Sequence, residues 1–156
     1  MKLRVKLLRE GAKLPVRAYP TDAGADVFYC HNPDERNHCV GEEDEYWISA
    51  KASCIIPTGI KLEVPEGYML EVKNKSGIAS KRQLIVGACV IDSGYDGEVF
   101  VNLHNIGRNT QRIYPGDKVA QLVLVPVRAC DFVAADGNLN DYTLRGDGGF
   151  GSTGEK

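Results

Sequence analysis

Glycine and proline interrupt this chain so regularly that few unbroken stretches reach the length of a stable helix, and most of those stretches alternate apolar with polar residues. Leu3/Val5/Leu7, Ile60/Leu62/Val64, Leu70/Val72, Val99/Val101/Leu103 and the run from Val119 to Val127 read as short strands. Pro57, Pro65-Glu66-Gly67, Asp96-Gly97 and Pro115-Gly116 bound them. A period of two sends successive side chains to opposite faces of a sheet, so each strand needs a partner along its edge and a cover over its apolar face. Many short strands at this spacing predict an all-β sandwich or barrel. Ile78 to Leu84 departs from the pattern, and its Ala79, Lys81, Arg82, Gln83 and Leu84 predict one short helix directly after Lys75-Ser76-Gly77.

A chain of 156 residues has room for one real core and not for two. With 43% hydrophobic and 26% charged residues it has the composition of a soluble globular protein, and no apolar stretch is long enough to span a bilayer. Met1 to Lys6 alternates charge with apolar residues and never develops a signal-peptide hydrophobic region, which predicts a cytoplasmic or otherwise intracellular protein. Five scattered cysteines without CxxC spacing argue for reduced thiols rather than a disulfide framework. A net charge of -2 lacks the broad basic field of nucleic-acid binders, so neither nucleic acid nor membrane is expected as a partner and any anion is held locally. The polar, acidic stretch from Asn32 to Tyr46 reads as a surface loop between strands.

The C-terminal run Arg145-Gly146-Asp147-Gly148-Gly149-Phe150-Gly151-Ser152-Thr153-Gly154 cannot bury enough apolar surface to offset the entropy of ordering it. A flexible arm is expected, yet its side chains suit an anionic nucleotide. Arg145 offers a planar fork to phosphate, Ser152 and Thr153 offer hydroxyls, and Phe150 offers a face to a base. The chain is therefore expected to divide into a β-rich domain over 1–143, carrying a loop insertion at 30–46, and an arm over 144–156.

Lys75-Ser76-Gly77 leading into a helix could cradle phosphate, or could be an ordinary serine cap beside a surface lysine. Gly87 to Gly97 resembles two β segments folded against each other around small residues, a slot for a flat ligand, with Asp92 emerging from the apolar Val90-Ile91 pair where a partly buried carboxylate could be held rigidly. Asp92 is suited to orienting a water, or to capping a strand end. Asp22 and Asp26 place one carboxylate in a turn and another at a strand start, where either could reach a hard cation. Gln121 interrupts an apolar strand and requires a polar partner, whether backbone, phosphate or an attacking water. Cys30-His31 and His38-Cys39 match no common zinc spacing, and Cys89 has no basic neighbour in sequence to activate it, so a small buried role suits it.

Taken in order, Asp22-Ala23-Gly24-Ala25-Asp26, Lys75-Ser76-Gly77-Ile78-Ala79, Gly87 to Gly97, Gly116-Asp117-Lys118-Val119-Ala120-Gln121-Leu122 and Arg145 to Gly154 resemble the five motifs of the trimeric dUTPase family. No one motif is specific; all five in order are. The resemblance implies a jelly-roll-like distorted barrel or sandwich, a homotrimer with active sites shared between subunits, and Mg²⁺-dependent hydrolysis of dUTP to dUMP and pyrophosphate. It further implies that Asp26 holds the metal through water, and that Lys75, Ser76, Gly77 and Gln121 contact the phosphates. Asp92 would position or deprotonate the attacking water, the backbone of Ala88, Cys89, Val90 and Ile91 would read uracil, and Tyr95 would lie under the deoxyribose. Arg145, Phe150, Gly151, Ser152 and Thr153 would close over the substrate.

Three positions depart from the family pattern. Lys75 stands where arginine is usual, Asp96 where a basic or polar residue is usual, and Cys89 where glycine is common; the 32–46 loop is also long. Two alternative readings are the deamination of dCTP on the same fold and a nucleotide-binding regulatory module with reduced turnover. The complete fifth motif and Tyr95 argue against the first, while Lys75 and Asp96 motivate the second.

Overall fold

The computed structural model describes residues 1–34, 40–42, 44–137 and 139, and the arm expected over 144–156 lies outside them. Eleven strands and one short helix are found among the described residues: β1 Val5–Leu7, β2 Ala25–Phe28, β3 Tyr46–Ile48, β4 Ser53–Pro57, β5 Ile60–Leu62, β6 Tyr68–Lys73, the helix Ile78–Arg82, β7 Leu84–Val86, β8 Val90–Ile91, β9 Phe100–Asn105, β10 Gln111–Ile113 and β11 Lys118–Pro126. The fold is all-β and jelly-roll-like. No helix among the described residues is long and apolar enough to cross a membrane.

Two sheets carry the architecture. One runs in the order β2-β11-β6-β8 and the other β4-β9-β7, with β1-β5 and β3-β10 as two-stranded companions. One core cluster draws on both sheets: Val27, Leu70, Val72, Ala120 and Leu122 from the first and Ile56, Leu84, Val101 and Leu103 from the second. Each such aliphatic side chain contributes about 1.5–3 kcal/mol on leaving water. Alternation is clearest in β9, where Val101, Leu103 and Asn105 are buried while Phe100, Asn102 and His104 face outward. Buried Asn105 is fully used, since its amide donates to the carbonyls of Ile48 and Asn109, both at 2.8 Å, and its oxygen accepts from Gly107 N at 2.9 Å.

The central strand β11 pairs antiparallel with both β2 and β6. Its ladder to β2 is irregular between Lys118 and Ala120, where one extra residue is accommodated, and Val119 and Ala120 are both buried there. Beyond the bulge Gln121 lies opposite Asp26 on one side and Lys73 on the other.

Two sequence expectations need correction. The helix expected to reach Leu84 is a single wide π-type turn ending at Arg82, because Gln83 adopts a left-handed conformation at φ 54° and buried Leu84 is taken into β7 opposite Asn105. The stretch expected to be surface loop is anchored at both ends, with Cys30, Glu45 and Tyr46 buried and the Tyr46 ring edge-on to Tyr29 at 5.1 Å.

Candidate active site

Three of the five motifs converge where β2, β11 and the end of β6 lie side by side. Asp26 on β2 is only 5% exposed, yet a lone buried carboxylate would be strongly unfavourable. Two ammonium groups meet it: Lys75 Nζ at 2.9 and 3.1 Å from its two oxygens, and Lys118 Nζ at 2.7 Å from Oδ2. Burial works to raise the Asp26 pKa, and the hydrogen bonds from Lys118 and Lys75 outweigh it, so the carboxyl titrates below its ordinary value. Two positive groups against one negative leave this corner a net positive charge, suited to an anion.

The β11 bulge explains why Lys118 takes part. In a regular strand Lys118 and Gln121, three residues apart, would face opposite ways; the extra residue brings Lys118 to the side of Asp26. Lys118 was part of the fourth motif but was not singled out from sequence, because a bulge leaves no periodic signal. Gln121 finds the backbone partner its position required, donating from Nε2 to Asn74 O at 2.9 Å. Gly24 makes room for it: a Cβ there would lie 2.2 Å from Gln121 Oε1. Asp22, in contrast, is a turn residue, accepting from Tyr19 N at 2.9 Å.

Ser76 is exposed, and the helix N-cap is Gly77 with no side-chain capping bond, so the plain serine-cap reading does not hold. Both residues lie next to Lys75 at the open end of β6.

The third motif forms a separate wall. Gly87 N bonds Asn102 O at 2.9 Å, Cys89 O accepts from Val72 N at 2.7 Å, and Val90 and Ile91 pair with Glu71 and Leu70. Ala88 and Val90 are exposed and Ile91 is buried. The two β segments expected to fold against each other do not: β7 pairs with β9 and β8 with β6, because Val86 and Ile91 each follow a different sheet, so the 87–97 segment is a hairpin-like crossing from one sheet to the other that presents main chain between them. Cys89 is half-buried rather than buried, with Sγ 3.3 Å from Gly87 O. Its φ is not positive, so the Cβ that replaces a common glycine is accommodated without backbone strain. Asp92 was expected to be partly buried and is exposed, since it follows the last paired residue of β8. Tyr95 is 47% exposed, and its hydroxyl donates to Glu98 O at 2.9 Å. The ring lies so close over Gly97 that a Cβ there would be 2.3 Å from the hydroxyl oxygen. Glu98 is itself fixed by Arg9, which also donates to His31 O at 2.8 Å, and by Gly59 N at 2.7 Å. Asp96, the acidic departure, is ion-paired to Lys61 on β5, which offsets its charge.

Arg145, Phe150, Gly151, Ser152 and Thr153 lie outside the described residues, as do His38 and Cys39. No group of three or more histidine, cysteine, aspartate or glutamate side chains capable of holding a metal occurs among the described residues. Asp26 is the carboxylate of the positive corner, and both its oxygens are engaged by ammonium groups. With both oxygens so engaged, a divalent ion here would have to take its ligands from phosphate and water and reach Asp26 only through water.

The dUTPase family model matches residues 39–154. The chain belongs to the dUTPase family. A deoxyuridine 5'-triphosphate nucleotidohydrolase of Hydrogenobaculum sp. (strain Y04AAS1) is 39% identical over 100% of both chains. One from Arabidopsis thaliana is 37% identical over 97% of this chain and 82% of its own. Among solved structures, the dUTPase of Staphylococcus bacteriophage 80alpha with dUPNHPP superposes with a TM-score of 0.82 at 27% identity, covering 98% of each chain. A mutant dUTPase of phage phi11 of S. aureus, whose structure concerns the coordination of a structural Mg(II) ion, superposes with a TM-score of 0.75 at 26% identity over 88% of this chain and 99% of its own.

Proposed function

We propose that this protein is a dUTP diphosphatase that hydrolyses dUTP to dUMP and pyrophosphate. The carrying observation is the positive corner of Asp26, Lys75 and Lys118 beside Gln121, set next to a hairpin of exposed main chain, in a family whose relatives bear that activity by name. The corner is placed to take the triphosphate through Lys75, Ser76, Gly77 and Gln121. The main chain of Ala88, Cys89, Val90 and Ile91 offers fixed donors and acceptors to a pyrimidine edge, and cytosine would leave some of them unpaired. Tyr95, whose ring lies over Gly97, would lie under the deoxyribose and leave no room for a ribose 2′-hydroxyl.

In the reaction the oxygen of one water forms a bond to phosphorus, the bond to the pyrophosphate leaving group breaks, and Asp92 orients the water and accepts its proton. Alignment and charge neutralisation supply most of the rate in phosphoryl transfer. Mg²⁺ when bound supplies part of that neutralisation on the phosphates. Asp26 would hold its water shell. Lys75 contributes a point charge where an arginine would add a fork, so its alignment of phosphate rests on the hydrogen bonds to Asp26.

The chain is read as a homotrimer with shared sites. Asp92 and Tyr95 are exposed on the single chain, and Phe132, Val133 and Leu139, beyond β11, are 95%, 83% and 79% exposed. A groove lined by Leu3, Leu14, Leu62, Leu70, Leu122 and Leu124 offers apolar surface for a neighbouring copy to cover. The arm, with Arg145, Phe150, Gly151, Ser152 and Thr153, would close over uracil and the terminal phosphates and expel bulk water. In an intracellular setting this activity keeps uracil out of DNA and supplies dUMP for dTMP synthesis. Pyrophosphate release measured with dUTP, dCTP, dTTP and UTP in the presence of Mg²⁺ tests the reading. A marked preference for dUTP is expected; equal rates, or ammonia from dCTP, would overturn it.

A further inference from the structure

The 87–97 segment sets out from β7, in the β4-β9-β7 sheet, while the phosphate corner lies on the β2-β11-β6-β8 sheet that the segment joins only at β8, and Asn74, outside the chain's five motifs, bonds across that step. Asn74 follows directly on the last residue of β6. Its side-chain oxygen accepts from Val86 N at 2.6 Å, and its main-chain carbonyl accepts from Gln121 Nε2 at 2.9 Å. Val86 closes β7, the edge strand of the β4-β9-β7 sheet, and the next residue, Gly87, opens the hairpin. An edge-strand N–H facing away from its sheet has no ladder partner, and Asn74 supplies one. Asn74 is also chain neighbour to Lys75, whose ammonium is held on Asp26. Three contacts therefore run from two adjacent residues: the Asn74 side chain to Val86 at the end of β7, the Asn74 carbonyl to Gln121, and the Lys75 ammonium to Asp26.

From this placement we infer that Asn74 is a positioning residue that fixes the start of the pyrimidine-reading hairpin at a set distance from the phosphate corner, and thereby sets discrimination between uracil and cytosine. The inference rests on the dUTP reading above for the name of the base; the tie between the walls does not. A base edge is read by main-chain groups, which cannot change rotamer to follow a displaced ligand, so their spacing from the phosphate anchor decides whether donors and acceptors meet. Phosphate binding is common to every nucleoside triphosphate and does not depend on the Asn74 side chain, because Gln121 bonds its backbone oxygen.

The test compares Asn74→Ala, which removes the acceptor, with Asn74→Asp, which keeps it and adds a charge. For Asn74→Ala the ratio of kcat/KM for dUTP over dCTP is expected to fall about fivefold, the effect of one lost hydrogen bond. For Asn74→Asp the ratio is expected to stay at the wild-type value while kcat/KM falls alike for both substrates, since the added carboxylate repels every triphosphate. A merely structural role would lower the melting temperature and leave the ratio unchanged, and that result overturns the inference. Amide exchange at Val86 gives a readout free of turnover: faster in Asn74→Ala and protected in wild type and Asn74→Asp, with equal exchange in all three overturning the tie. If wild type hydrolyses no nucleotide, the dUTP reading fails on its own, while the Val86 exchange still decides whether Asn74 holds the two walls.

Discussion

The corner around Asp26 and the segment from Gly87 to Gly97, the two walls of the proposed site, are built in opposite ways. The corner is made of side chains that hold one another: a buried carboxylate, two ammonium groups and a glutamine tied to backbone. The 87–97 segment is main chain held on one side by the β6–β8 ladder, with Asp92, the proposed base, exposed. Side chains gripping one another can tolerate any ligand that carries the right charge, whereas fixed main chain accepts only a matching edge. On the proposed reading, strength of anion binding would come from one region and selectivity from the other.

The largest expected effect breaks the comparison at the hairpin. Asp92→Asn should lower kcat by about 10²-fold or more, the usual contribution of a positioned base, while a non-hydrolysable dUTP analogue still binds with near-normal affinity in a titration. Retained turnover would move the water's partner out of the hairpin. Next in size, Gly97→Ala forces a Cβ against the Tyr95 hydroxyl and should displace the ring. The preference for dUTP over UTP, measured as a ratio of kcat/KM, should then fall about tenfold, with melting temperature little changed because Tyr95 is half exposed. An unchanged ratio would take sugar selection away from this ring.

The smallest effect sharpens the other side. Asp26→Asn leaves two ammonium groups facing a neutral amide and should lower stability at neutral pH by about 1–2 kcal/mol, tempered by the partial exposure of both lysines. That corresponds to about 2–4 °C in melting temperature per kcal/mol for a domain of this size. The sign with pH follows from the depressed pKa of Asp26. Its contribution is fully present above the ordinary carboxyl value of about 3.9 and is lost as pH falls through the lower folded value. Melting curves of the wild type should therefore lose more stability between about pH 5 and about pH 2, the range over which carboxyls titrate, than those of Asp26→Asn. Parallel curves would show that the pair adds no net stability.

Much of the fold was legible because period-two alternation between glycine and proline breaks depends only on which face each side chain takes. β5, β9 and β11 fall where Ile60/Leu62, Val101/Leu103 and Val119 onward placed them. What could not be read depends on register. The short helix stops early because Leu84 is claimed by a ladder with β9, a partner some twenty residues distant in sequence. Lys118 reaches Asp26 only through a bulge, and Asn74 matters only because Val86 happens to need an acceptor. Asp92 read as a sheltered carboxylate because Val90 and Ile91 precede it, yet β8 is two residues long and ends before it. Chemistry-bearing residue types were visible in the sequence; the pairs they form were not.

The irregularity in β11 gives the chain an uneven sensitivity to genetic change. Substituting Val119 by another apolar residue alters packing and leaves the count of residues intact. Deleting it makes the ladder regular: Lys118 and Gln121 are then two apart and still share a face, so Lys118 keeps Asp26 while the bend and added twist of the bulge are lost. A loss of three nucleotides there would therefore change the course of the strand and spare the charge of the corner, whereas a replacement of Lys118 would do the reverse.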